Sequence, residues 1–356
     1  MKAALFYGGP DIRVEQLDTP KPGPGEVLVR VRAAGICGSD LHGYRGARPA
    51  QLDQSLPRER RQNGHELAGE IAAVGAGVAG LVVGQRVGIE PEHLISCGAC
   101  LECRRGETHL CPTRGLRHGE RHSSHDFSEY DVCLASQINQ LPDNVSYDAA
   151  PILDCYACAV HAARRAPVPP YATAVVIGTG AIGMNGGQVA RATGAQRVVM
   201  VATRPGPLAV AREAGALDDG VAASEGDPVQ AVLDLTGGNG AEVVYETVGG
   251  DAPTLQQAIR MARTGGTVCV LGMFTAPPEV DVMLAYRKEL SIVWSNSYSR
   301  WNGRSEYDVA LELLASGRVD ARPLLTHHYP LDRIGDAVAA AADKRSSGAI
   351  KVLVHA

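Results

Sequence analysis

At 356 residues the chain is longer than one hydrophobic core usually supports, so we expect two domains. A net charge of −5 offers no basic surface for nucleic acid, and no run of about 18 apolar residues predicts a membrane-spanning helix. Nine cysteines, in a chain that begins without a signal-peptide pattern, favour a reducing, cytoplasmic environment.

The first part of the chain contains short predicted strands between turns rich in glycine and proline. A turn at 21–26 precedes a strand at 27–31, and further strand-like segments cover 71–74, 86–90 and 130–134. Because no helix of convincing period separates most of them, we predict a β-rich, partly closed lobe that carries loops.

Two of these loops contain potential metal ligands. Cys37 lies in the segment 35–42, and His65 with Glu66 lies in the segment 64–69. A thiolate, an imidazole and a carboxylate can share one ion and leave a position open, which is typical of catalytic zinc. Taken alone the pattern is weak, because an isolated cysteine is more often buried and an isolated histidine is more often a core or surface group.

Four cysteines follow in a C-x2-C-x2-C-x7-C pattern: Cys97, Cys100, Cys103 and Cys111. Two-residue gaps fold back tightly enough for all four sulfurs to lie about 2.3 Å from one zinc ion. Four thiolates leave no open position, so the pattern predicts a structural zinc. An iron–sulfur cluster is the main alternative, since it also takes four thiolates. A disulfide or four unrelated buried cysteines are the other interpretations.

Two further polar clusters give weaker signals. His118, His122 and His125 could hold a third metal ion, but a solvated polar loop is the simpler interpretation. Together with the arginines of 58–61 they indicate a cationic pocket mouth, which would suit a polyhydroxylated or anionic substrate.

The pattern changes to alternating strands and helices after Pro170. The apolar segment 174–177 is followed at once by Gly178-Thr179-Gly180-Ala181-Ile182-Gly183 and a helix to Arg191. In this context the glycines let a pyrophosphate approach the backbone, and the helix N-terminus stabilises its charge. Further strands complete a doubly wound parallel sheet of the Rossmann type. They are predicted at 197–201, 220–222, 242–246, 267–271 and 290–294.

The last segment returns to mixed structure. Amphipathic helices are predicted at 306–316 and 334–343, and a closing strand at 351–354. The strand at 290–294 lies at a sheet edge and could pair with a second copy, so we predict a homodimer or homotetramer. Three candidate substrate or interface groups lie in a predicted solvated loop: Arg300, Trp301 and Arg304.

Four features in this order resemble those of the zinc-containing medium-chain alcohol and polyol dehydrogenases, over essentially the whole chain. They are Cys37-Gly-Ser-Asp-Leu-His42, Gly64-His65-Glu66, the four-cysteine pattern and the glycine motif. The segment 154–162 is similar to the sorbitol and threonine dehydrogenase branch, in which a carboxylate lies seven residues before a histidine, here Asp154 and His161.

The resemblance implies an α/β fold in which a β-rich, GroES-like catalytic domain is discontinuous. Its two parts would be 1–155 and 297–356, around a dinucleotide-binding Rossmann domain at 156–296, with the cofactor cleft between the lobes.

The resemblance also implies a catalytic zinc. Cys37 and His65 would bind this ion. A carboxylate would complete the site, either Asp154 or Glu66, the latter in exchange with water. Cys155 stands where the family has proline and could itself compete for the metal.

Three residues beside Cys37 would act on protons. Ser39 would take the proton of the alcohol, and His42 would release it to solvent near its own pKa. Asp40 would accept a hydrogen bond from the free nitrogen of His65 and fix its tautomer. Ordinary turn chemistry and a solvated surface histidine are the alternatives for these positions.

The family pattern also places the residue that decides between the cofactors. An acid at the end of the second strand binds the ribose of NAD, whereas an arginine accommodates the extra phosphate of NADP. Ala202 stands where the acid would be, and Thr203 and Arg204 follow it. We therefore predict a preference for NADP; if Arg204 is merely exposed, the chain would accept NAD as well.

These features predict a zinc-dependent oxidoreductase, with one catalytic and one structural zinc per chain. It would transfer a hydride between NADP(H) and a secondary alcohol or ketone, a small polar molecule of the polyol, sugar or cyclitol type. The alternatives are an NAD-linked sugar or amino-alcohol dehydrogenase, a zinc-free quinone or enone reductase, and a dinucleotide-binding protein without turnover.

Overall fold

The computed structural model describes residues 1–45, 64–91, 96–114 and 127–356. The arginine-rich segment at 58–61 and the histidine cluster at 118–125 lie outside the described residues. The chain divides into two compact units. The first unit comprises Met1–Asp154, Trp301–Gly303 and Leu325–Ala356, and the second comprises Cys155–Arg300 and Arg304–Leu324.

The strands of both units are as follows: β1 (Lys2–Gly8), β2 (Asp11–Gln16), β3 (Glu26–Gly35), β4 (Glu66–Val74), β5 (Arg86–Ile89), β6 (Tyr130–Leu134), β7 (Ile138–Gln140), β8 (Thr173–Ile177), β9 (Arg197–Ala202), β10 (Asp219–Ala222), β11 (Ala241–Glu246), β12 (Ala262–Val270), β13 (Ser291–Trp294), β14 (Arg300–Trp301), β15 (Arg304–Ser305), β16 (Leu325–Pro330) and β17 (Lys351–His355). The helices are α1 (Gly38–Tyr44), α2 (Leu101–Arg104), α3 (Leu153–Arg165), α4 (Ala181–Ala192), α5 (Gly206–Glu213), α6 (Pro228–Leu235), α7 (Thr254–Met261), α8 (Val282–Arg287), α9 (Glu306–Ala315), α10 (Ile334–Ala342) and α11 (Lys344–Ser347). Among the described helices, none is both long and apolar enough to cross a membrane.

The first unit is built on a sheet with the strand order β16-β17-β3-β4-β5-β7, in which β6 also pairs with β3. Strands β16 and β17 are parallel, and the other neighbours are antiparallel. Val27, Val29 and Val31 alternate along β3 and are buried in the core, as a period of two requires. Helix α10 packs into the same core through Ile334 and Val338. The predicted β-rich lobe is therefore confirmed.

The closing strand β17 positions part of the site described below. It runs antiparallel to β3, with Val354 opposite Ala34 and Leu353 opposite Gly35. The backbone N–H of Ile36 continues this pairing by donating to the carbonyl of Val352 at 3.0 Å. The last strand of the chain therefore lies beside the loop that follows β3.

The second unit contains a parallel sheet with the strand order β10-β9-β8-β11-β12-β13. Counted along this unit the order is 3-2-1-4-5-6, that of two mononucleotide-binding halves. Its central strands are fully buried apolar segments, because helices cover both faces of such a sheet. The predicted Rossmann-type sheet is confirmed, with strand ends mostly within one or two residues of those predicted; β12 begins earlier, at Ala262.

Residues 304–324 lie in the second unit, whereas the sequence assigned all of 297–356 to the catalytic domain. Helix α9 is held there by the buried carboxylate of Glu306, which contacts His161 Nδ1 at 2.7 Å and accepts a hydrogen bond from the Ser299 N–H at 2.6 Å. The guanidinium of Arg164 donates to the other oxygen. A buried carboxylate with three such partners holds the start of helix α9 in place. No local sequence pattern predicts which residues those partners are.

The segment around Trp301 is a hairpin rather than an irregular loop. Strands β14 and β15 pair across Asn302 and Gly303, whose φ angles are +50° and +80°. An Asn-Gly pair with two positive φ values is the preferred two-residue hairpin turn, so the dipeptide itself was the missed signal. The turn presents Trp301 with 56% of its surface exposed.

Candidate active site and metal centres

Four potential ligands converge in the first unit. One ligand atom each from Cys37, His65, Glu66 and Asp154 lies within 4.8 Å of the other three. Cys37 follows β3, His65 immediately precedes β4, Glu66 opens that strand, and Asp154 lies in the first turn of α3. A thiolate, an imidazole and a carboxylate are donors that zinc accepts, so the residues fit a zinc ion.

His65 has an acidic group on each side of its ring. Nε2 lies 3.9 Å from Asp154 Oδ2, and Nδ1 lies 3.7 Å from Asp40 Oδ1. Burial opposes the charged imidazolium, but the Cys37 thiolate and the two carboxylates outweigh it and raise the pKa of His65 well above its usual value. This environment stabilises positive charge at the point where the ligand atoms meet, as a site for a divalent cation requires.

Asp40 links the two loops that carry the ligands. Its Oδ2 accepts a hydrogen bond from the Cys37 N–H at 2.8 Å, and its Oδ1 accepts one from the Gly64 N–H at 3.3 Å. The first of these bonds resembles a capping box, because an acid in the first turn of α1 reaches back to the residue before the helix. Burial raises the pKa of Asp40, against the opposing effects of His65 and the two N–H groups.

Glu66 forms a buried ion pair with Lys351 that was not predicted from the sequence. Both of its oxygens contact Lys351 Nζ, at 2.7 and 2.5 Å, and the side chains are 0% and 2% exposed. Lys351 Nζ also lies 3.4 Å from the Ile36 carbonyl. The available signal was a single lysine at the start of the otherwise apolar strand 351–354.

The predicted proton-transfer residues lie on helix α1. Ser39 is exposed in its first turn, two residues after Cys37. His42 lies in the same helix, but its side chain is outside the described part of the chain. Cys155, the predicted competitor, is buried in α3 directly after Asp154 and is absent from the ligand group.

The four cysteines at 97–111 form a second group of ligands, with one sulfur from each lying within 4.8 Å of the others. Cys97 Sγ and Cys103 Sγ are 3.8 Å apart, which matches two thiolates on one tetrahedral zinc. An iron–sulfur cluster divides four thiolates among at least two irons and so holds some of them farther apart, whereas here all four sulfurs lie within 4.8 Å of one another, which favours a single ion. All nine cysteines lie in described residues and none of them forms a disulfide, which excludes the disulfide interpretation.

Backbone donors stabilise negative charge at this second group. The N–H groups of Ala99 and Cys100 donate to Cys97 Sγ at 3.4 and 3.3 Å. They lower the pKa of Cys97 to about 6. A thiolate already stabilised near neutral pH is ready to bind a metal ion.

The glycine motif lies between β8 and α4 in the second unit. Gly178 has a φ of +113°, which disfavours any other residue. A Cβ atom on Gly183 would lie against the Gly178 carbonyl, so the strand and helix can approach only because position 183 has no side chain. Gly180 is the N-cap, and Ala181 and Ile182 begin α4, whose first N–H groups suit a pyrophosphate.

The cofactor-selecting positions lie where β9 ends. Ala202 is the last residue of that strand and is buried; Thr203 is exposed and Arg204 half-buried. No acidic side chain stands at 202–204 to repel a phosphate.

Two family sequence models match the chain. The model described as "Alcohol dehydrogenase GroES-like domain" covers residues 23–143, and the one described as "Zinc-binding dehydrogenase" covers 181–316. Among curated relatives, the sorbitol dehydrogenase of Bacillus subtilis is 31% identical, over 100% of this chain and 97% of its own. The L-idonate 5-dehydrogenase of Vitis vinifera is 33% identical, over 99% and 94%.

Solved structures with either cofactor are similar to this chain. A putative zinc-binding dehydrogenase of Sinorhizobium meliloti bound to NADP has a TM-score of 0.85 and 28% identity, covering 100% of this chain and 99% of its own. An alcohol dehydrogenase of Escherichia coli in complex with NADH has a TM-score of 0.86 and 27% identity, with the same coverage. With the GroES-like and Rossmann folds and two family models matched, this chain belongs to the zinc-containing medium-chain alcohol and polyol dehydrogenases, enzymes that act on CH–OH groups.

Proposed function

We propose that this enzyme is a zinc-dependent dehydrogenase that prefers NADP and interconverts a polar secondary alcohol and its ketone. The observation that carries the proposal is the convergence of Cys37, His65 and two carboxylates in a member of this family. The names of the relatives, sorbitol and L-idonate dehydrogenases, support a polyhydroxylated substrate.

Three residues would hold the catalytic ion: Cys37, His65 and Asp154. When bound, zinc supplies Lewis-acid polarisation of the substrate oxygen, and the nicotinamide supplies the hydride acceptor. Asp154 rather than Glu66 is the better third ligand, because both oxygens of Glu66 already contact Lys351.

Three further residues would transfer the alcohol proton and orient the His65 ring. Ser39, exposed on α1 close in sequence to the Cys37 ligand, would accept the alcohol proton, and His42 would release it to solvent. Asp40, hydrogen-bonded to both ligand loops, would keep the His65 ring oriented with Nε2 towards the metal. The four cysteines at 97–111 would bind a structural zinc.

Metal removal tests the catalytic proposal. Dialysis against a chelator should abolish NADPH-linked reduction of ketones, and zinc should restore it whereas magnesium should not, because thiolate and imidazole ligands favour zinc. Activity would be followed by nicotinamide absorbance with a panel of sugar alcohols, cyclitols and their ketones, each with both cofactors. Full activity in protein shown by elemental analysis to be metal-free would contradict the proposal.

Replacing Arg204 tests the cofactor preference. Arg204→Ala should lower kcat/KM for NADP by about 10- to 100-fold and leave that for NAD nearly unchanged, since a charged hydrogen bond contributes about 1.5–3 kcal/mol. Arg212→Ala, which removes an exposed arginine from α5, is the matched control. An equal decrease in kcat/KM with both cofactors, or no decrease with NADP, would show that Arg204 does not bind the extra phosphate of NADP.

An NAD-linked sugar or amino-alcohol dehydrogenase is the second candidate, and the relative bound to NADH favours it. A homodimer or homotetramer stays a prediction; the edge strand β13, with Ile292 38% and Trp294 56% exposed, supports it. A cytoplasmic location likewise stays a prediction.

A further inference from the structure

A third group of potential ligands lies in the first unit and has no part in the function proposed above. It consists of Asp148, His328 and His355, each offering one ligand atom within 4.8 Å of the other two. The group joins three segments that are distant in sequence: the turn before α3, strand β16 and the end of strand β17.

The parallel pairing of β16 and β17 brings the two histidines together. His328 is opposite Leu353, so His355, two residues farther along β17, points to the same face of the sheet. His328 is exposed, with 44% of its side chain accessible, and His355 is partly exposed at 34%. Solvent therefore reaches the group.

The ring nitrogens face each other at close range. His328 Nδ1 and His355 Nε2 are 3.0 Å apart, with ring planes within 9° of parallel. Asp148 approaches both rings, with Oδ2 3.9 Å from His328 Nδ1 and Oδ1 3.7 Å from His355 Nδ1. Two imidazoles and a carboxylate are thus gathered at one point.

The backbone favours the tautomer that binds a metal. His355 Nδ1 lies 3.3 Å from the Arg32 carbonyl, which can only accept, so a proton on Nδ1 leaves the Nε2 lone pair free for a ligand. At present the partner of that lone pair is the ring of His328. A tetrahedral zinc holds two histidine nitrogens about 3.3 Å apart, close to the observed separation. An ion can therefore replace the proton between the rings after a small rotation of the exposed His328.

We propose that Asp148, His328 and His355 bind a divalent transition-metal ion of the Zn²⁺ or Ni²⁺ type, in addition to the two ions expected elsewhere in the chain. The donor set is borderline in softness, which suits these ions and disfavours Mg²⁺ and Ca²⁺. Three protein ligands on an accessible surface leave the remaining positions to water. Because the ligands come from three segments, the ion cross-links the C-terminal strand to β16 and to the turn before α3, and so stabilises the folded unit.

The test is a calorimetric titration of the full-length protein, loaded with its tightly bound zinc and free of any polyhistidine tag, with Ni²⁺ and with Zn²⁺. The wild type should bind about one further equivalent, and its melting temperature should rise with metal concentration. His328→Ala and His355→Ala should each abolish this equivalent and the rise, and Asp148→Asn should weaken binding.

The matched control is His327→Ala. His327 is the neighbour of His328 on β16, but its ring contacts Thr326 and it is absent from the ligand group, so this variant should bind the metal as the wild type does. His328 is exposed and its replacement should not disturb folding, which unchanged dehydrogenase turnover would verify. No additional equivalent in the wild type, or binding that survives loss of both His328 and His355, would overturn the proposal in favour of a proton-sharing histidine pair only.

Discussion

Replacing Cys37 by serine, or His65 by alanine, should reduce turnover by about a thousandfold or more with either cofactor. Polarisation of the substrate oxygen contributes several kcal/mol, and about 1.4 kcal/mol corresponds to tenfold in rate. The loss should appear in kcat, because the interaction between zinc and the substrate oxygen strengthens as negative charge develops on that oxygen in the transition state. Elemental analysis should find the zinc content per chain lowered by about one while the four-cysteine site keeps its ion.

The control is Cys133→Ser, in strand β6. Cys133 is buried and its thiol contacts Asp131 at 3.7 Å, a role that a serine hydroxyl can keep. This variant should retain its zinc content and most of its turnover. If Cys37→Ser retained full turnover and zinc content, the assigned ligand set would be wrong.

Replacing Lys351 by methionine should lower the free energy of unfolding by about 3–5 kcal/mol, because it removes the buried ammonium group that both oxygens of Glu66 contact. Lys351 Nζ contacts both carboxylate oxygens, and almost no water reaches the pair. Urea unfolding followed by circular dichroism measures the change. If the two units unfold in separate transitions, the transition of the first unit should shift to lower urea concentration.

Two variants separate the ion pair from the packing of the lysine chain. The double variant Lys351→Met with Glu66→Gln removes both charges and should recover part of the lost stability. Lys344→Met removes an exposed lysine from α11 and should change stability by less than about 0.5 kcal/mol. If the double variant were as unstable as Lys351→Met alone, packing rather than unpaired charge would be the cause.

The features predicted best from the sequence depend on neighbours in the chain. Cys97 and Cys103 can be assigned to one site because their spacing alone brings the sulfurs together. The turn from Gly178 to Gly183 is also local in part, since a Cβ atom on Gly183 would meet the carbonyl of Gly178 five residues earlier. Short apolar segments between glycine- and proline-rich turns, or alternating with helices, likewise predicted most strands of both sheets.

What escaped prediction depends on residues far apart in sequence. The Glu66–Lys351 pair spans 285 positions and exists because β17 inserts beside β3. The placement of 304–324 in the second unit depends on Glu306 reaching His161, 145 positions away. Such contacts follow from the folded topology. They cannot be predicted from composition or from the spacing of residues along the chain.

The measurement that tests the central claim most directly is a crystal structure with data collected on both sides of the zinc absorption edge. We expect an anomalous peak within bonding distance of Cys37 Sγ, His65 Nε2 and Asp154, with Glu66 still paired to Lys351. A second peak should lie among the four cysteines. If zinc-replete crystals gave no peak between Cys37 and His65, or these side chains pointed apart, the proposed catalytic site would be refuted.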